Sequence, residues 1–146
     1  MLVILIKVHV DGAARPNPGY GGVGIVIEGD NWDYRISKSL KGTISGNLAE
    51  CRALVYALQE LSNNGCFDNA IRIFSDSQRV VGHVNGIEPI HGQEDYYQDY
   101  LNTCQLMERF SDLVITWIPR TQNAQANLLA SKGAIKASKF KNDRRA

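Results

Sequence analysis

Three carboxylates sit where a chain can build chemistry. Asp11 follows the apolar run LVILIKVHV, Asp76 closes AIRIFS, and Glu50 falls near the start of NLAECRALVYALQELSNNG. Open α/β sheets hold ligands beyond the carboxyl ends of their strands, so two aspartates at strand ends face such a crevice. Glu50 lies one turn before Leu54 and borders an apolar helical stripe. A carboxylate removed from water is costly unless it is paired or binds a cation. Each acid also has an ordinary reading. An Asp after a strand commonly caps the next turn, and the helix dipole favours a Glu in a first turn. Three acids able to converge, all hard oxygen donors, suggest a divalent-metal site.

A fourth residue asks for a reason. NAQANLLASKG reads as a helix, with Asn123 as its N-terminal cap. Asn127 stands one turn further in, where Asn is a poor helix former.

The elements that must position these residues are legible as patterns. Residues 2–11 read as a strand with Val8 and Val10 on one face and Lys7, His9 and Asp11 on the other. GAARPNPGYGG reads as a loop. VGIVIEG and WDYRISKSL, joined by GDN, complete an antiparallel meander. A helix follows, with Leu48, Val55, Leu58 and Leu61 along its stripe and Gly65 as its stop. AIRIFSD is a fourth strand, SQRVVGHVNG and EDYYQDYLNTCQLMERF are helices, DLVITWI is a fifth strand, and NAQANLLASKGAIKAS is the last helix. The order β-β-β-α-β-α-α-β-α predicts one α/β domain over residues 1–138. Its five-stranded mixed sheet has three antiparallel strands, then two parallel, flanked by helices.

Composition narrows the function classes. The 146 residues suffice for one domain with a core. A charged fraction of 21% is ordinary for a globular protein and argues against disorder. Net charge is +1, yet Lys132, Lys136, Lys139, Lys141, Arg144 and Arg145 face only Asp143 near the end. Residues 139–146 are therefore predicted to be a basic, flexible tail, either touching phosphates or simply solvated. MLVILI is too short to span a bilayer and lacks the flanks of a signal peptide, so no membrane association is expected. Cys51, Cys66 and Cys104 are odd in number and scattered. That argues against zinc or a disulfide framework and fits a reducing, cytoplasmic setting. A monomer is expected.

Four blocks resemble the type 1 ribonucleases H. DGAARPNPGYGGVGIVI resembles the family's opening signature. SGNLAECRALVYAL resembles its Thr-Asn-Asn-x-x-Glu helix entry, with Glu50 in the catalytic position. IFSDSQRVV resembles its Asp-Ser-Gln strand end, with Asp76 in the catalytic position. IPRTQNAQANLLA resembles its closing Pro-Arg-x-x-Asn-x-x-Ala-Asp-x-Leu-Ala, of which Asn123 is part, and the resemblance implies that Asn123 contacts nucleic acid. The blocks occur in the family's order and cover residues 3–137.

The resemblance implies a ribonuclease H-like fold and endonucleolytic hydrolysis of the RNA strand of RNA/DNA hybrids, leaving 3′-hydroxyl and 5′-phosphate ends. It implies two Mg²⁺ or Mn²⁺ ions about 3.5–4 Å apart during catalysis. Asp11 would bridge them, with Glu50 and Asp76 completing one coordination sphere. Asn17, Asn47 and Gln78 match positions that hydrogen-bond nucleotides in the minor groove, where the 2′-hydroxyl distinguishes RNA. Ser45 falls where the family usually has Thr in a pocket for a DNA-strand phosphate. Gly46 falls where a second Asn is common, leaving its backbone N–H for a contact.

Departures from the pattern carry expectations too. Asn127 stands in place of the fourth acidic ligand, which predicts metal binding weakened by about 10–100-fold and reduced cleavage. A catalytically silent hybrid-binding domain is the alternative. The loop IPRTQN holds no His, and its Arg120 is the nearest group for a phosphate contact. NGIEPIHGQED stands in place of the family's basic handle and is acidic. His9 is read as a sheet-face residue, His83 and His91 as surface residues, and Trp117 as core.

Overall fold

Alternation builds the centre of the sheet. In β1 (Leu5–Arg15), Ile6, Val8 and Val10 are buried while Lys7 and His9 turn to the other face. The computed structural model describes residues 4–145, with side chains to Phe140, so residues 1–3 of the expected first strand lie outside the described residues. β2 (Gly19–Gly29) and β3 (Trp32–Ile44) follow, then α1 (Gly46–Asn63), β4 (Ala70–Ser75), α2 (Gln78–Val84), α3 (Tyr97–Met107), β5 (Asp112–Trp117) and α4 (Ala124–Arg145). The strands lie in the order β3-β2-β1-β4-β5. β1–β2 and β2–β3 are antiparallel, and β1–β4 and β4–β5 are parallel, as the sequence pattern predicts.

One face of the sheet carries the main core. Val8, Val10, Ile25, Ile27, Ile71 and Ile73 pack there against Ala53, Leu54, Leu58 and Leu61 of α1. Gly65, at φ 69°, adopts the left-handed backbone just beyond α1, a conformation glycine enters without steric penalty. α4 covers the opposite face at close range. A side chain at Gly24 would overlap the backbone of Ala126 and Ala130, so glycine there is what lets the helix lie on the strand.

Two elements run longer than their sequence patterns. Residues 12–15 were expected in a loop, yet they pair with Val23, Gly22, Gly21 and Tyr20 of β2. The hairpin ladder satisfies their backbone groups despite the weak strand composition, and confines the turn to residues 16–18. α4 likewise continues past residue 138 to Arg145, while Ala146 and the side chains beyond Phe140 lie outside the described residues. No described helix is long and apolar enough to cross a membrane, and all three cysteines are free.

Candidate active site

The parallel register creates the site. Val10 of β1 lies opposite Ser75 of β4, so the next residues, Asp11 and Asp76, emerge side by side where the two strands part. β1 does not end at Asp11 but leaves β4 there and continues along β2. α1 supplies the third acid. The Ser45 hydroxyl caps the helix by accepting from the Leu48 N–H at 3.1 Å. A side chain at Gly12 would collide with the backbone of Ala49 and Glu50, so a glycine there lets the helix start press against β1. Carboxylate oxygens of Asp11, Glu50 and Asp76 consequently lie within 4.8 Å of one another.

α4 closes the group from the other side. Asn127 Nδ2 donates to Asp11 Oδ2 at 2.9 Å. Asn123 Nδ2 donates to the Val10 carbonyl at 2.9 Å and to Asp76 Oδ2 at 3.3 Å. The Gly12 N–H reaches Asp11 Oδ1 at 3.0 Å, and Trp117 Nε1 donates to the Asp76 carbonyl at 3.1 Å.

The protein's own groups leave this charge unbalanced. Burial, then the Asp11 charge and a hydrogen bond with Asp11, then Asp76, hold the Glu50 carboxyl well above the ordinary range. Burial and Asp11 also raise Asp76, against the opposing pull of Asn123 and Arg120. Glu50 Oε2 is buried with no hydrogen-bond partner among the described residues. A buried oxygen so placed costs about 1–3 kcal/mol or more when charged. A hard divalent cation is a ligand that the three clustered carboxylates fit.

These acids line a cleft of about 390 Å³ with Arg15, Asn17, Gly46, Arg120 and Asn127. A second depression of about 300 Å³ adjoins it, lined by Asn17, Ser45, Gly46, Asn47, Glu50, Asp76 and Ser77.

The chain matches the family described as reverse transcriptase-like over residues 9–133. EbsB of Enterococcus faecalis, a provisionally named hydrolase, is 33% identical over 133 residues, covering 90% of this chain and 96% of EbsB. The crystal structure of RNase H1 from Halobacterium salinarum superposes with a TM-score of 0.79 at 30% identity, covering 88% of this chain and 96% of that one. LC11-RNase H1, solved in complex with an RNA/DNA hybrid, gives 0.81 at 30% identity over 90% and 98%.

The chain belongs to the reverse transcriptase-like family and is a type 1 ribonuclease H-like protein. It spans 63% of the length of the full halobacterial ribonuclease HI, at 31% identity. Against the type 1 ribonuclease H pattern its acidic cluster holds three members, with Asn127 in the fourth place. The amide turns its N–H₂ toward Asp11, since an amide oxygen there would face a carboxylate oxygen.

Other sequence-read residues fall unevenly. Asn17, Ser45, Gly46 and Asn47 converge beside the acids. Within that group the Ser45 hydroxyl is committed to its capping bond, and the Gly46 N–H donates to Asn17 Oδ1 at 2.9 Å. Arg120 lines the cleft. Gln78 begins α2 and lines a separate depression of about 670 Å³ with Arg79, His83 and Trp117.

Three expectations are overturned. Asn123 does not cap α4 through its side chain, nor is it open to nucleic acid: it is 1% exposed, crosses to β1 and Asp76, and leaves Oδ1 unpartnered among the described residues. His83 is buried rather than on the surface, held between the Glu88 carbonyl and the Tyr96 hydroxyl at 3.1 Å each. Trp117 is 41% exposed rather than core, because it ends the edge strand β5 and points its indole N–H at the Asp76 backbone.

Arg15 and Ser131 were missed. Arg15 Nη2 donates to Ser131 Oγ at 2.8 Å at the rim of the cleft. Their positions, four residues after Asp11 and Asn127, were the available signal. A loop over residues 12–15 would carry no such alternation, whereas the strand observed there does.

Proposed function

We propose that the protein is a divalent-metal-dependent endoribonuclease that cuts the RNA strand of RNA/DNA hybrids, working below the capacity of a four-acid site. The observation that carries this reading is the buried, unpartnered Glu50 oxygen beside Asp11 and Asp76. Like charge gathered where β1 and β4 part has no structural benefit, whereas phosphodiester hydrolysis needs it.

Asp11, Glu50 and Asp76 would hold Mg²⁺ or Mn²⁺. Bound there, the ions would supply Lewis acidity to the phosphodiester and its attacking water. Asp11, bonded to Asn127 of α4 and leaving β1 beside the end of β4, is placed to serve both sides of the cluster. Asn127 orients Asp11 through a hydrogen bond but adds no charge, so the ions would be held less tightly. Asn17 and Asn47 offer amide groups to the minor groove, and Arg120 offers charge to a phosphate. The hybrid bound by the similar LC11-RNase H1 supports the same substrate class here.

A second reading, a hybrid-binding domain silent in cleavage, draws on the same Asn127–Asp11 bond. Hybrid, RNA duplex and DNA duplex incubated side by side with millimolar Mg²⁺ or Mn²⁺ decide between them. Selective cutting of RNA in the hybrid supports the nuclease; binding without cutting supports the silent domain.

A further inference from the structure

Arg15 is exposed at the end of β1 and lines the same cleft as Asp11, Glu50 and Asp76. Among the described lining residues, the cations are Arg15 and Arg120. Arg120 acts on Asp76, whereas Arg15 joins none of the ion pairs among the described residues. Its charge therefore faces the cleft outside any ion pair among the described residues.

Its orientation is built. Arg15 follows Asp11 by four residues on one face of β1, and Ser131 follows Asn127 by four residues on one face of α4. Helix and strand are thus joined by two rungs: Asn127 to Asp11 at 2.9 Å and Arg15 to Ser131 at 2.8 Å. A strand advances about 3.3 Å per residue, so the second rung stands about 13 Å along β1 from the first at the backbone. The Ser131 hydroxyl accepts one of the five guanidinium N–H groups, which leaves a planar fork for a bidentate anion. A nucleic-acid strand brings a regular row of anions to such a surface.

We propose that Arg15, held in place by Ser131, binds a backbone phosphate of the hybrid flanking the phosphodiester at the carboxylates. This rests on the hybrid reading above but names a contact which that reading does not contain. The phosphate at the acids is the one to be cut. The phosphate at Arg15 sets the strand's register over them, so the loss should fall on binding more than on the chemical step.

The test is metal-free binding of a labelled hybrid in EDTA across a salt series, with steady-state cleavage alongside, for wild type, Arg15→Ala, Arg15→Lys and Ser131→Ala. Arg15→Ala should weaken binding about tenfold and reduce the salt slope by about one. It should raise KM by a similar factor, with kcat changed less than about twofold. Arg15→Lys should restore the slope but only part of the affinity. Ser131→Ala should keep the slope with a smaller loss of affinity, and the thermal midpoint should hold in all three. If wild type binds and Arg15→Ala binds with the same affinity and slope, the phosphate contact is wrong while the nuclease reading stands. A lowered thermal midpoint with an unchanged slope also overturns it, because Arg15 would then be structural. A wild type that binds hybrid without cutting it removes the nuclease reading, and the slope still judges Arg15. A wild type that does neither removes both.

Discussion

Two charges on α1, two residues apart, meet opposite fates. The Arg52 guanidinium reaches Asp99 of α3, and Thr103 Oγ1 donates to the Asp99 backbone carbonyl at 2.8 Å. Glu50 reaches toward Asp11 and Asp76, and its Oε2 meets nothing. Both side chains are partly withdrawn from water, yet only one is neutralised within the fold. The α1–α3 contact uses its charges to hold two helices together. The strand-end cluster gathers charge that the protein alone does not balance. Strongly perturbed acids concentrated in a cleft mark a functional site more often than a structural one, and here the structural counterexample sits on the same helix.

The sharpest break of this contrast is Glu50→Gln. Hybrid cleavage should fall by about a hundredfold, while the metal-free thermal midpoint should rise, because the cost of burying an acid beside two others is gone. A rate and midpoint both unchanged would put Glu50 outside the site. Arg52→Ala should do the reverse. It strands Asp99, which is 8% exposed, and should destabilise the fold by about 2 kcal/mol in denaturant melts, discounted for the partial exposure of Arg52. Its cleavage rate under stable conditions should stay within a few-fold.

Asn127→Asp adds charge to the already unbalanced region. At limiting metal it should raise cleavage about tenfold. It should also lower metal-free stability, since a hydrogen-bond donor to Asp11 becomes a fourth carboxylate. An unaltered metal dependence would detach position 127 from the cluster. The smallest effect is in pH. The Glu50 carboxyl is raised, so the native state keeps its proton to higher pH than the unfolded chain. Native stability without metal should therefore be fully present below the ordinary glutamate range and decline as pH rises through the raised value. Thermal midpoints measured in EDTA should show that decline in wild type and a flatter profile in Glu50→Gln.

Much of this contrast can be read from the sequence, and the unreadable parts share a cause. Asp11 and Asp76 declare themselves by closing apolar runs, and Glu50 by bordering an apolar stripe. These are local patterns, and the fold keeps them. The pairing of residues 12–15 with β2 is set across a turn by register, so their glycine and alanine content misleads. Asn123 looks like a cap locally, but its amide is captured by the Val10 carbonyl 113 residues away. His83 looks like a surface residue on a short helix until Tyr96 covers it. The Arg52–Asp99 pair spans 47 residues and leaves no local trace, so the structural half of the contrast was the harder half to foresee.

Whether the unbalanced acids form a working metal-dependent site for hybrid cleavage is decided by titrating Mg²⁺ and Mn²⁺ against a hybrid labelled on its RNA strand, with wild type and Glu50→Gln in parallel. Wild type should make metal-dependent cuts in the RNA strand and leave the DNA strand intact, and the variant should make next to none. A hybrid left whole at every metal concentration, or cut equally by both proteins, would mean that the three acids are not such a site.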